Sequence, residues 1–257
     1  MGVMHEFGFL GRAARSFFSR FWKDNVHLIG VSEPVCEALL EQAPHLQGRV
    51  HLLPHAIEAP TLHDPVSARH EVGIPLGSYC YGTVGRLVRK KDHRLLIEAF
   101  AALPGDSVLA FLGDGQLMPE LKSLAKKLGV QNRVVFCGAK DNARKFMKAF
   151  DAFVLSSTAE EAFGIVLLEA MAAQVPIVCS DAPGPASVIG GAGLMFECGN
   201  ARDLTRQLEA VRGLTKADSD DMTQKALDRL GTNFSVAAIV RRIRSLPPIE
   251  QHAPVSY

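Results

Sequence analysis

Two glutamates, Glu161 and Glu169, stand eight residues apart in the stretch EEAFGIVLLEAMAAQVPIV (160–178), and the second is set in an almost wholly apolar run. A helix that is apolar on nearly every side is normally buried, so Glu169 is costly unless a polar partner waits beside it. Were both glutamates inside one helix, they would lie about 12 Å apart along its axis. With Glu161 in a loop and Glu169 in the second turn, both can face one ligand at the helix mouth. Amides around Phe163, Gly164, Ile165 and Val166, with the helix dipole, suit the oxygens of a phosphate or a sugar. Carboxylates suit hydroxyl groups, from which each can accept. Together they fit a phosphorylated polyol, as a nucleotide sugar is.

A second run, YGTVGRLVRKKD (81–92), puts Gly85 at a strand end beside Arg86, with Lys91 five residues further on. Glycine lets a ligand approach the backbone, and two cations suit a diphosphate. Taken alone, this run is more often just a solvated basic loop. For Glu169 the alternative is an internal bond to a backbone donor or an arginine.

The elements that must position these residues alternate in type. Apolar runs rich in Val, Ile and Phe predict strands at 25–31, 49–54, 79–87, 108–113, 133–138, 152–157 and 175–180. Helical patterns lie between them. Ser32 caps a helix through about Gln42, and others cover 92–103, 118–129, 143–150 and the segment opening at Gly164. A polar connection runs from Glu58 to about Ser78, and the last third is helical at roughly 200–213, 217–230 and 234–245. Such alternation predicts a parallel sheet with helices on both faces, whose ligands bind outside the carboxyl ends of the strands.

The 257 residues are 47% hydrophobic and 21% charged with a formal net charge of +1, an ordinary globular balance that does not call for nucleic acid. No apolar run approaches the ~18 residues of a membrane span. The five cysteines (Cys36, Cys80, Cys137, Cys179, Cys198) form no CxxC pair and read as small buried hydrophobes, consistent with a cytoplasmic setting. Residues 8–23, GFLGRAARSFFSRFWK, predict a basic amphipathic helix. Packing on a domain is its favoured reading, and peripheral contact with the inner face of a membrane is the second. The only D-x-D, Asp218 to Asp220, reads as a helix cap rather than a metal motif. No Gly-rich loop ending in Lys-Ser/Thr and no GxSxG is present.

In order along the chain, Gly85-Arg86-Leu87-Val88-x-x-Lys91, the turn Gly113-Asp114-Gly115, Val134-x-Phe136-x-Gly138 and Glu161-x-Phe163-Gly164 with Glu169 resemble the donor-binding domain of the retaining glycosyltransferases of family 4. The resemblance covers about residues 25–245. It implies a GT-B fold: a remnant of the N-terminal acceptor domain over 1–57, a Rossmann-like nucleotide-sugar-binding domain over 58–232, and a C-terminal crossing helix and tail over 233–257. It implies that Arg86 and Lys91 neutralise the departing diphosphate without a metal or other cofactor. Glu161 would contact the donor sugar, helped by amides near Phe163 to Ile165, and Glu169 would hold the ribose hydroxyls. His5 falls about where the family often has an active-site histidine; an ordinary polar residue is the favoured reading.

The implied partners are a nucleoside diphosphate-sugar donor and a saccharide or lipid-linked acceptor, with cell-surface polysaccharide synthesis as the setting. The family normally adds well over 100 residues before VHLIGVSEPV, and three explanations compete: a fragment of a normal enzyme, a donor-binding subunit whose acceptor domain is a separate partner chain, or a degenerate nucleotide-binding protein. A non-catalytic subunit or fragment and a nucleotide-sugar 2-epimerase are the rival readings. Three departures bear on the donor: Gln174 stands where the family has glycine, DAPGPASVI (181–189) lacks the usual glycine pair and glutamate, and Pro54-His55-Ala56 replaces Pro-Asn-Gly.

Overall fold

The structure is a computed structural model and describes residues 2–10, 19–22 and 26–246. Strands alternate with helices, and two parallel sheets result. The smaller contains β1 (Gly2–Met4), β2 (Leu28–Gly30) and β3 (Val50–Leu52) in that order. Helix α1 (Glu33–Gln42) joins β2 to β3 and is capped by Ser32, whose Oγ accepts from the Val35 amide.

The larger sheet has six strands: β4 (Tyr79–Val84), β5 (Ser107–Leu112), β6 (Val134–Gly138), β7 (Ala152–Leu155), β8 (Ile177–Ser180) and β9 (Leu194–Phe196). Their spatial order is β6-β5-β4-β7-β8-β9. The chain steps outward from β4 to β6, then returns to β4's other side with β7. A crevice opens where the order reverses, between the carboxyl ends of β4 and β7.

The helices are α2 (Pro65–Val72), α3 (His93–Ala101), α4 (Met118–Lys127), α5 (Ile165–Ala172), α6 (Pro183–Ile189), α7 (Ala201–Arg212), α8 (Lys216–Asn233) and α9 (Val236–Ser245). They cover both faces of the six-stranded sheet. Along β5, Val108, Ala110 and Leu112 enter one core while Leu109 and Phe111 enter the other, the two-residue alternation of a strand buried on both sides. The first core also takes Leu28, Val31, Val35 and Leu39, so the small sheet packs into the same apolar body.

Several expectations need correction. The connection from Glu58 to Ser78 contains α2, with Asp64 as its cap, Pro65 in its first turn and Gly73 at φ +76 after it. Arg69 ties α2 to the large sheet: it donates to the Ala149 and Ser78 carbonyls and pairs with Asp151 at 2.6 Å. Residues 143–149 form a 3₁₀ segment rather than an α-helix. Asp218 does not cap α8; Thr215 does, accepting from the Asp218 amide. Residues 7–10 form a turn, and most of the amphipathic helix expected over 8–23 lies outside the described residues, as does the tail. All five cysteines are free. Among the described residues, no helix is long and apolar enough to cross a membrane.

Candidate functional site

The crevice at the strand reversal is a cleft of about 410 Å³. One wall is Val84, Gly85 and Lys91, from β4 and the loop after it; another is Glu161, Ile165, Val166 and Glu169, from the loop after β7 and α5. The third, Asn142 to Arg144, comes from the loop after β6 and carries no motif in the sequence. That loop follows a parallel strand at its carboxyl end, which is the one signal that could have found it.

Backbone close approach sets the first wall. A Cβ on Gly113, which has φ +150, would lie 2.0 Å from the Gly85 carbonyl oxygen, and one on Gly115 would lie 2.5 Å from that of Leu87. The Leu87 amide donates to Asp114 and the Leu117 amide to Leu87. The Gly-Asp-Gly turn is therefore a seat across which the Gly85–Leu87 loop lies. From there the chain turns through Arg89–Lys91 and brings Lys91 over the cleft.

The second wall starts with a buried charge. The Glu161 carboxylate pairs with Lys91 at 2.6 Å and with Lys90 at 3.5 Å, and accepts from Ser157 Oγ at 3.3 Å. Burial pushes the Glu161 carboxyl up, but the charge and hydrogen bond of Lys91, then Lys90 and Ser157, together hold it below its usual value. Gly184, at the start of α6, would place a Cβ 2.2 Å from the Glu161 carbonyl oxygen. The departure from the family pattern in DAPGPASVI thus retains one glycine where the Glu161–Ala162 backbone crosses.

Gly164 opens α5 at φ +83, and a Cβ there would meet Leu155 at 2.9 Å. Along α5, Val166, Leu167, Leu168, Ala170 and Met171 are buried, and Glu169, half-buried, is the charged residue of the helix that lines the cleft, beside Ile165 and Val166. Among the described residues its carboxylate has neither a hydrogen bond nor an ion pair, so the internal partner considered from the sequence is not there. Burial raises the pKa of its carboxyl, and the charge of Arg144 opposes that only partly.

The remaining sites separate. Arg86 is exposed and does not line the cleft, although Gly85 does. Phe163 is buried and lines a smaller cavity of about 60 Å³ with Ser32, Phe234 and Arg242, so only its backbone belongs to the helix mouth. It packs edge-on against His55, which stacks on His5 at 5.3 Å. Burial and the nearby His5 lower the pKa of His55. Gln174 takes the left-handed φ of +52 that glycine would hold without strain. Among the described residues, no group of three His, Cys, Asp or Glu side chains could hold a metal ion.

The family model of the glycosyl transferases group 1 matches residues 67–226, more than half of the chain. The chain is 39% identical over 145 residues to the lipopolysaccharide core biosynthesis glycosyltransferase LpsE of Rhizobium meliloti, an alignment covering 56% of this chain and 42% of that protein. It is 35% identical over 147 residues to the N-acetylgalactosamine-N,N'-diacetylbacillosaminyl-diphospho-undecaprenol 4-alpha-N-acetylgalactosaminyltransferase of Campylobacter jejuni, covering 56% of this chain and 38% of that one. The chain thus spans less than half the length of these two relatives. Among solved structures, Anabaena HepE in complex with UDP and glucose superposes with a TM-score of 0.83 at 21% identity, covering 95% of this chain and 71% of that one. The shared architecture is the α/β GT-B type.

Proposed function

The chain belongs to the glycosyl transferases group 1 family, and from that premise we propose that it holds the donor site of a retaining transferase. The reaction moves a sugar from a nucleoside diphosphate donor to a saccharide or lipid-linked acceptor in the making of cell-surface polysaccharide. The relatives named for lipopolysaccharide core and diphospho-undecaprenol chemistry support the setting. On this reading the reaction runs in the cytoplasm, with peripheral contact at the inner face of a membrane. Because the chain spans under half of those relatives, the acceptor-binding half of the reaction is assigned to structure beyond the described site.

One observation carries the reading: a carboxylate without a protein partner, Glu169, shares a cleft with the Lys91–Glu161 pair at the reversal point of a parallel sheet. In the proposed roles, Glu169 accepts from the ribose hydroxyls and Glu161 from the donor sugar, with the amides at the mouth of α5 near Gly164 turned to the oxygens between them. Lys91 moves part of its charge from Glu161 to the diphosphate, and exposed Arg86 adds the second cation. Stabilising the leaving diphosphate by fixed charges in a partly dry cleft is the largest single contribution to the rate, and the two cations do this without a metal.

Thermal unfolding with UDP, GDP or ADP tests the site. At least one should raise the melting temperature of the full chain, and Glu169→Ala should remove that shift while leaving the unliganded melting temperature unchanged or higher. No shift with any of the three would remove the donor-site reading. The anomeric configuration of the product, read by NMR, tests retention, and an inverted product would refute it.

A further inference from the structure

We propose that Arg144 reads the base of the donor and selects uracil or guanine, whose ring edge carries a carbonyl, over cytosine or adenine, which carry an amino group there. The inference rests on the reading of the cleft as a nucleoside diphosphate site and adds to it the class of base.

Four charged side chains line the cleft, and two of them are already paired: Lys91 with Glu161. The other two are Arg144 and Glu169. Arg144 is the second residue of the 3₁₀ segment Ala143–Ala149, which packs beside α5, and it lines the cleft close enough to Glu169 for their charges to interact. The residue is half-buried, and its guanidinium is oriented by one exposed bond, from Nε to Asn142 Oδ1 at 2.8 Å. Asn142 is itself fixed in the left-handed region at φ +55. Among the described residues, the two Nη groups donate to nothing.

Arg144 and Glu169 feel each other's charge, yet no ion pair closes between them. A guest that fits between a donor-only fork and an acceptor-only carboxylate must offer acceptors to one side and hydroxyl donors to the other. A nucleoside does so when its ribose faces Glu169 and a carbonyl edge of its base faces Arg144. Guanidinium cannot accept, so an exocyclic amino group in that position meets hydrogen against hydrogen. A bidentate arginine contact to a base edge discriminates by about tenfold or more.

Calorimetric titration of the full chain with two matched pairs, UDP against CDP and IDP against ADP, tests this, because each pair differs at one exocyclic group of the ring edge, hypoxanthine presenting guanine's carbonyl without its 2-amino group. In at least one pair the carbonyl-bearing member should bind about tenfold tighter or better. Arg144→Met should bring that ratio to within about twofold by weakening the preferred member alone, and Arg144→Lys should restore only part of it. Equal affinities within both pairs, a preference for the amino base, or a uniform loss in Arg144→Met with the ratio intact would overturn base selection while leaving the nucleotide site standing. If none of the four binds to a chain shown folded by circular dichroism, the donor-site reading falls and base selection falls with it.

Discussion

At Glu169 and His93 the free energy of a single side chain records what its surroundings lack. Glu169 was conspicuous in the sequence as the lone charge of an apolar helix, and the structure leaves it without a partner on the wall of a cleft. His93 gave no such signal. It opens α3 one residue after Asp92, is almost wholly buried against Phe111, and its Nδ1 has no hydrogen-bond partner. Burial first, and then the charge of Lys91, depress its pKa to about 3. Above the unfolded value near 6.5, both states are neutral and the group contributes nothing. As pH falls below that value the unfolded chain takes up a proton that the folded chain refuses, so stability drops by up to about 1.4 kcal/mol per unit toward pH 3. His93→Phe should therefore narrow the difference in urea midpoint between pH 7.5 and pH 5; an unchanged difference would show that His93 is protonated in the folded state.

Elements were legible in proportion to how far their own side chains specify them. Strands β5, β7 and β8 were the most readable because they are buried throughout and apolar on both faces, while the half-buried β3 and β6 were legible from their Val, Leu and Phe. Strands β1 and β9 are short and lack a flanking apolar run: β1 is Gly-Val-Met followed by His5 and Glu6, and β9 follows the glycine-rich Gly190–Gly193. Helix α2 was hidden because it buries Ala68, Arg69 and Val72 rather than a stripe of large apolar residues. For the same reason two walls of the cleft could be named in advance and the third could not. Asn142 and Arg144 belong to it only because the 3₁₀ segment packs on α5, a tertiary fact without a local pattern. The Gly-Asp-Gly turn is a case where the motif was visible but its reason was not. Gly113→Ala would force the Gly85 loop off its seat at a cost on the order of 3 kcal/mol. Chemical denaturation should show that loss together with weaker nucleotide binding, because Gly85 and Lys91 move with the loop. A variant as stable as the parent would mean that the two turns are not in register as described.

On the scale of the whole molecule, the small sheet is joined to the cleft through few polar contacts, and one of them reaches the site. Ser32 Oγ, besides capping α1, donates to the Ala162 carbonyl at 2.7 Å, between Glu161 and Phe163. Ser32→Ala removes a helix cap and strands a buried carbonyl, together about 2 kcal/mol. Hydrogen exchange should then quicken at the amides of both α1 and Glu161–Ile165; quickening confined to α1 would show that the two regions are uncoupled. The same seam holds the stack of His5, His55 and Phe163, so residues from both sheets meet behind the helix mouth.

The most direct test is calorimetric titration of the 257-residue chain with UDP, GDP and ADP, alongside an Arg86→Ala/Lys91→Ala double variant whose folded content is checked by circular dichroism. A donor site requires that at least one nucleotide bind the parent and that the folded double variant lose at least about tenfold in affinity, since two charge-assisted contacts to the diphosphate are gone. Binding left unchanged in the double variant, or no binding by the folded parent, would contradict a diphosphate held by Arg86 and Lys91 at the mouth of α5.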